Sequence, residues 1–298
     1  MRFLSVLLCL LIAIPAFAHD ESTNPDWPHA HSIPAAIERN IVRLRQEGNY
    51  RYISSNGIPN HETGQFPNRG NPNAISVQDH EYRVPLNPQK TGRAVNQYGL
   101  VGVALNGIPF EPGTAECYGR SRGERGPIGS CEWSEEAIVG GKGKLGLDYS
   151  NAHVQPDGTY HYHGVPNGLL GVLEDQGDVV QIGYAADGFK LMVSRSGRYK
   201  SGYGLKNGSR PSGPGGRYDG TYTADYEFKG SGNLDQCNGT EYSGEYVYFI
   251  TSEFPFAPRC MMGRPDESFS RKGPPSAGRP GGMGPEGQRP PPPRQRRR

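Results

Sequence analysis

Three of the eight histidines in this 298-residue chain fall within one short segment, AHVQPDGTYHYH, at His153, His161 and His163. A neutral imidazole binds zinc, copper, nickel or iron through one ring nitrogen. Three imidazoles that share one face of a protein can therefore hold a transition metal ion. The ordinary alternative is a row of hydrogen-bonded histidines on an aromatic-rich strand.

The residues between these histidines predict a β-hairpin. Pro156 presets the backbone for a type I turn, Asp157 is compatible with the next position, and Gly158 provides the left-handed residue that completes a three-residue connection. In this register, His153 lies opposite His161 and Asn151 lies opposite His163.

Alternation along the strand then places His161 and His163 on one face with His153, while Tyr160 and Tyr162 point into the core. A two-residue turn at Asp157-Gly158 would shift the pairing by one residue and move His153 to the tyrosine face. The predicted site therefore depends on one register.

Other side chains are candidates to complete the site. His61 lies in a Gly/Pro-rich loop, and Asp187 and Asp235 are carboxylates in Gly-flanked turns that could bind the metal or accept a hydrogen bond from an imidazole. Each Asp also has the simpler interpretation of a turn-forming residue. His19, as a mature N-terminus, would be a separate copper ligand.

The sequence predicts an exported protein that binds copper or zinc for storage or delivery, and it cannot choose between the two metals. Occupancy should fall as the imidazoles protonate below about pH 6. A metal-dependent hydrolase or oxidase acting on an extracellular polymer, with Asp187 as its acid, is one alternative. A non-catalytic module that binds a glycan or an envelope partner is another.

Standard catalytic motifs give little support to an enzyme. The segment GRSRG at 119–123 matches G-x-S-x-G by letter, and 141–146 matches G-x-G-x-x-G, but neither has the strand and helix that the motif requires. The chain contains no H-E-x-x-H zinc motif and no P-loop.

The elements that must position the histidines are predicted to be short strands. The chain has 43 Gly, 27 Pro and 17 Tyr, a composition typical of an all-β sandwich or open-barrel-like domain with long Gly/Pro-rich loops. Strands are predicted at 41–46, 50–54, 80–85, 99–105, 172–173, 179–184, 190–193, 220–228 and 245–251. Residues 35–45 also allow a short helix.

The cysteine pattern indicates an oxidising compartment. Beyond Cys9, which lies in the apolar leader, four cysteines remain: Cys117, Cys131, Cys237 and Cys260. Four cysteines allow three pairings, and loop closure favours the two pairs that are close in sequence. A zinc site made of all four is the rival interpretation, although no C-x2-C spacing supports it.

Both ends of the chain differ from the centre. The predicted organisation is a cleaved signal peptide at 1–18, a polar arm at 19–34, a β domain at 35–263 and a disordered Pro/Gly/Arg-rich tail at 264–298. The tail has nine Lys or Arg and three acids, whereas the whole chain has a net charge of +2, so the body is acidic. We expect a secreted or periplasmic protein without a membrane span or nucleic-acid partner, whose tail could bind anionic envelope surfaces.

The motif Tyr160-His161-Tyr162-His163 resembles the defining motif of the bacterial YHYH domain family. Similar blocks extend the resemblance over roughly 50–260, among them SNGIPNHETGQFPN, VGVALNGIPFEPGTAE, GLDYSNAHVQPDGTYHYHG and GNLDQCNG. The resemblance implies an exported domain without an established activity. Gln236 departs from the pattern, in which an acid is expected, so an additional ligand at that position is not implied.

Overall fold

A computed structural model describes residues 39–120, 131–173 and 177–270, and it is built almost entirely of short strands. In chain order the strands are β1 (Val42–Glu47), β2 (Tyr50–Ser55), β3 (His80–Pro85), β4 (Val95–Asn96), β5 (Gly102–Ala104), β6 (Pro109–Phe110), β7 (Ile138–Val139), β8 (Lys142–Gly143), β9 (Ala152–Val154), β10 (Tyr160–Tyr162), β11 (Val179–Ala185), β12 (Lys190–Ser194), β13 (Tyr203–Leu205), β14 (Tyr226–Phe228), β15 (Gly239–Tyr242), β16 (Glu245–Phe249) and β17 (Cys260–Met261). One helix, α1 (Asn167–Val172), and two 3-10 turns, Thr223–Asp225 and Glu267–Phe269, interrupt them. The predicted all-β class is confirmed.

The largest sheet has eight strands in the order β15-β16-β12-β11-β5-β6-β10-β9. Most neighbours are antiparallel, but β10 runs parallel to β6 and β12 runs parallel to β16. A three-stranded sheet, β1-β2-β3, and three two-stranded pairs complete the described architecture. The sheet does not close into a barrel, and the histidine-bearing hairpin, β9 and β10, lies at its edge.

The three-stranded sheet is a meander whose first turn contains Gly48 at a φ of +57°, a backbone conformation that glycine adopts without steric cost. The strand prediction for this region is confirmed, and the alternative of a helix is not. Its inner face packs Ile53, Tyr82 and Val84 against Val103 of the large sheet. Burial of these apolar side chains holds the two sheets together.

The main core lies on the tyrosine side of the β9–β10 hairpin. Tyr160 and Tyr162 are fully buried there, together with Ala152 and Val154 of the neighbouring strand. The predicted inward orientation of the two tyrosines is confirmed. Because the aromatic rings point inward, the alternating histidines must point to the opposite face.

Several predicted elements differ from the structure. The predicted strands at 99–105 and 220–228 are formed only in part, as β5 (Gly102–Ala104) and β14 (Tyr226–Phe228), and the 3-10 turn Thr223–Asp225 occupies the middle of the second. The predicted strand at 172–173 is wrong: Val172 ends α1, which follows Pro166, and proline preorganises the backbone at a helix start. The folded part also continues past 263, because Phe269 is completely buried and stacks on Tyr82 with ring centroids 4.9 Å apart. Asp266 also pairs with Arg83 at 2.9 Å, so a buried ring and an ion pair fix the chain to the body beyond the point where composition predicts a tail.

Both disulfides favoured by sequence proximity are present. Cys117 is bonded to Cys131 and Cys237 to Cys260, with Cα–Cα distances of 6.0 and 5.0 Å. These bonds use all four cysteines and exclude a four-cysteine zinc site. They are typical of a protein that folds in an oxidising compartment.

Several predictions concern the ends of the chain. The signal peptide at 1–18, the arm at 19–34 with His19, and tail residues 271–298 lie outside the described residues. In the part of the chain that the structure describes, no helix is long and apolar enough to cross a membrane.

Candidate metal centre

The β9–β10 hairpin has the register that the turn residues predict. His153 pairs with His161, Val154 with Tyr160, and the backbone N–H of His163 donates to the carbonyl of Asn151 at 2.7 Å. Gly158 closes the turn at a φ of +88°. The three-residue connection is therefore correct, and the two-residue alternative is not formed.

The three imidazoles converge on one point. The Nε2 atom of His163 lies 3.1 Å from Nε2 of His153 and 3.0 Å from Nε2 of His161. Nitrogen ligands about 2.0–2.1 Å from a common ion, at angles between 90° and 110°, are about 2.8–3.4 Å apart. The observed spacing therefore fits three nitrogens that share one transition metal ion.

Backbone carbonyls orient two of the three rings. The Nδ1 atom of His153 is 2.9 Å from the carbonyl oxygen of Leu145, and Nδ1 of His161 is 3.3 Å from that of Thr159. A carbonyl only accepts hydrogen bonds, so these nitrogens are the donors and the Nε2 atoms of the two neutral rings have free lone pairs. This arrangement is the usual support for a metal-binding imidazole.

Two residues that flank the site have unusual backbone conformations. Leu145, whose carbonyl orients His153, has a φ of +56°, and Asn151, whose carbonyl accepts from the backbone of His163, has a φ of +53°. The left-handed region costs a leucine about 1–2 kcal/mol, whereas asparagine adopts it readily. Such strain is often concentrated at functional sites, and here it lies at Leu145, whose carbonyl orients His153.

Burial determines the protonation of the cluster. His161 and His163 are each 1% exposed, and His153 is partly exposed. Desolvation lowers the pKa of all three imidazoles, and the neighbouring histidines lower the pKa of His161 and His163 further. The cluster is therefore neutral at pH 7, the form that binds metal.

The opposite face of the hairpin contains a buried carboxylate that sequence reasoning missed. Asp148 accepts four hydrogen bonds: from the Tyr160 hydroxyl at 2.7 Å and from the backbone N–H groups of Gly64, Ser150 and Ala152 at 3.0, 2.9 and 3.2 Å. Burial nevertheless raises its pKa to about 6. The only sequence signal was an Asp four residues before the strand, in a position suited to an Asx turn.

His61 is not brought to the other imidazoles. Its Nε2 lies 2.6 Å from the Tyr162 hydroxyl and its Nδ1 lies 2.6 Å from the carbonyl oxygen of Glu62, on the tyrosine side of the hairpin. Gly168 makes room for the ring, because a Cβ at that position would lie 2.3 Å from Nδ1 of His61. The expectation that His61 helps to hold the metal is therefore not supported by its placement.

The two predicted carboxylates are also elsewhere. Asp187 accepts from the Tyr248 hydroxyl at 2.7 Å, and Asp235 accepts from the Tyr246 hydroxyl at the same distance. Both also accept backbone N–H groups in their own turns. Their placement corresponds to the turn-forming interpretation, and among the described residues the three-histidine group contains no carboxylate.

The fold and the site define a disulfide-bonded all-β protein with a buried three-histidine cluster at a sheet edge. The chain belongs to the YHYH protein family, whose model matches residues 81–263 and so includes all three histidines. Comparison with curated proteins gave no match, and comparison with solved structures gave none.

Proposed function

We propose that this protein is exported and binds a transition metal ion, copper or zinc, through Nε2 of His153, His161 and His163. The observation that carries the proposal is the contact of three Nε2 atoms at 3.0 and 3.1 Å. The paired disulfides support an oxidising location.

The chemistry of the cluster favours a cation at its centre. His163 Nε2 can donate at most one proton, whereas it contacts two acceptor nitrogens, those of His153 and His161. At least one of these contacts therefore brings two lone pairs together in a buried place. An ion bound by all three nitrogens replaces that repulsion with three bonds.

The surroundings favour binding and delivery over catalysis. Among the described residues, no acid joins the cluster. Asp187, the acid that the hydrolase alternative requires, is held by Tyr248 and by the backbone N–H of Gly263. Three protein ligands leave at least one coordination position for water or for an incoming ligand, and the partly exposed His153 marks the side from which an ion would enter.

The test is metal binding by the purified mature chain. After chelator treatment and dialysis, titration with Zn²⁺ and, separately, with Cu²⁺ is followed by calorimetry and by metal analysis of the recovered protein. We expect one ion per chain with a micromolar or smaller Kd. The double variant His161→Ala/His163→Ala should weaken binding by at least about 100-fold, because it removes two of three ligands.

His80→Ala is the matched control. His80 is partly buried, and its Nε2 has no hydrogen-bond partner in the described structure, but it lies outside the cluster. This variant should bind metal as tightly as the unmodified chain. Absence of micromolar binding of zinc and copper, or equal weakening in both variants, would refute the proposed centre.

The C-terminal tail is a separate part of the proposal. Its excess of Arg supports electrostatic attachment to an anionic envelope surface. Removal of residues 271–298 should abolish binding to anionic vesicles and leave the metal Kd unchanged.

A further inference from the structure

A cavity of about 550 Å³ adjoins the histidine-bearing hairpin. Its wall includes Glu111 and Pro112, which directly follow β6, the parallel neighbour of β10. The backbone N–H of Glu111 donates to the Tyr162 carbonyl at 2.9 Å, and its carboxylate accepts from Gln155 at 3.0 Å. A residue of the cavity wall is thus hydrogen-bonded to the hairpin that contains the histidines. The volume of the cavity is in the range of small-molecule binding sites.

Four aromatic side chains line the cavity: Tyr98, Tyr203, Tyr226 and Phe254. Tyr98 is 58% exposed beside the cavity, although it is a large side chain that would gain from burial. Tyr226 stacks on Phe254 with centroids 3.9 Å apart, and Tyr203 contacts the same Phe254 ring edge-on at 5.2 Å. These contacts hold Tyr203 and Tyr226 in place, as a stacking surface for a ligand requires.

The polar lining favours a neutral ligand that is rich in hydroxyl groups. Three carboxylates, Glu111, Glu116 and Glu132, line the cavity together with two cations, Arg120 and Arg259. Arg259 already binds the Glu136 carboxylate at 2.7 Å, and Glu111 already accepts from Gln155 at 3.0 Å. This excess of acceptors disfavours an anion, whereas hydroxyl groups can donate to carboxylates.

We propose that this cavity binds a neutral oligosaccharide of about two to three sugar units. The apolar faces of the sugar rings would pack on Tyr98 and Tyr226, and the hydroxyl groups would donate to Glu116 and Glu132. The site does not require a bound metal, so it is independent of the function proposed above.

The test uses metal-free full-length protein in chelating buffer, titrated with cellotriose, mannotriose, maltotriose and N,N′-diacetylchitobiose, and with trigalacturonate as the anionic probe. Binding is followed by calorimetry and by tyrosine fluorescence. We expect at least one neutral probe to bind with a millimolar or smaller Kd, and trigalacturonate to bind at least about tenfold more weakly, a difference of about 1.4 kcal/mol.

Variants assign the binding to the cavity. Tyr98→Ala and Glu116→Gln should each weaken the best neutral probe by at least about tenfold, because one removes a stacking ring and the other an anionic acceptor. Tyr50→Ala is the control, since Tyr50 is 37% exposed on β2 and does not line the cavity. No binding of any neutral probe at millimolar concentration, tighter binding of trigalacturonate, or equal weakening by Tyr50→Ala would overturn the proposal.

Discussion

The polar groups on the two faces of the β9–β10 hairpin differ in their hydrogen-bond partners. On the tyrosine face, the hydroxyl of Tyr160 donates to Asp148, and the hydroxyl of Tyr162 contacts both His61 and Asn106. On the histidine face, three Nε2 atoms meet one another. A satisfied network stabilises a fold, whereas nitrogen lone pairs that face one another without enough donors would be stabilised by a bound cation. Composition alone would have made His61 equivalent to the other three.

The largest effect is expected from Asp148→Asn on the tyrosine face. Each carboxylate oxygen accepts a backbone N–H, so either orientation of the amide turns its NH₂ group against a backbone donor. Loss of a charged acceptor and a buried unpaired donor should lower the free energy of unfolding by about 2–4 kcal/mol. Urea denaturation measures the loss.

Asp157→Asn is the control for this variant. The Asp157 carboxylate accepts from the backbone N–H of Thr159 at the exposed tip of the turn, and the carbonyl that accepts from Ser76 and Gln78 is unchanged by the substitution, so the cost should stay below about 1 kcal/mol. If the two variants cost the same, the buried network does not dominate the stability of this hairpin.

The next effect is on the histidine face, where a substitution should change the metal affinity strongly and the free energy of unfolding little. His153→Gln removes one ligand at a partly exposed position, so metal affinity should fall by about 100-fold, or about 2.7 kcal/mol, while the metal-free free energy of unfolding changes by less than about 1 kcal/mol. Calorimetric titration measures the metal affinity, and urea denaturation of the same preparation measures the free energy of unfolding. A variant that loses stability but retains affinity would assign His153 to the fold.

A third prediction concerns pH and distinguishes the faces by sign. Burial lowers the pKa of the three histidines, so below pH 6.5 the unfolded chain binds more protons than the folded metal-free protein. The free energy of unfolding therefore falls with falling pH, by up to about 1.4 kcal/mol per pH unit for each imidazole. Burial raises the pKa of Asp148 to about 6, so the folded state binds its proton more tightly than the unfolded chain does. The stability that comes from this protonation is complete below about pH 4 and is lost as pH rises through 6, whereas the hydrogen bonds of the carboxylate remain.

Urea denaturation of chelator-treated protein at pH 7, 6 and 5 tests this difference. Replacing all three histidines by Gln should reduce the loss of stability between pH 7 and pH 5. An unchanged pH dependence would mean that the three rings are not buried in their neutral form.

The smallest effect is expected from Tyr162→Phe. The change removes the hydroxyl that contacts Nε2 of His61 and the amide of Asn106, so the free energy of unfolding should fall by about 1–2 kcal/mol. Metal affinity should stay within about threefold, because the ring itself still packs in the core. Thermal denaturation and zinc titration together test this; a large loss of affinity would show that the two faces are coupled.

Local rules were sufficient to predict the hairpin. Pro156, Asp157 and Gly158 specify a turn whose length fixes the register, and strand alternation then decides which histidines meet. The same rules predicted β1 to β3, β11, β12 and β16 closely. They failed at α1, where a run of only two apolar residues was interpreted as a strand, and at Phe269, whose burial depends on a sheet more than 180 residues earlier in the chain.

What the sequence determined by itself is the hairpin and its two faces, because turn chemistry and alternation act over a few residues. Only the tertiary structure decided the rest of the site. A loop distant in sequence brings His61 to Tyr162 and the backbone N–H of Gly64 to Asp148, and the carbonyl of Leu145 turns His153 toward its partners. Such placements depend on which surfaces pack together, and no local pattern encodes that choice.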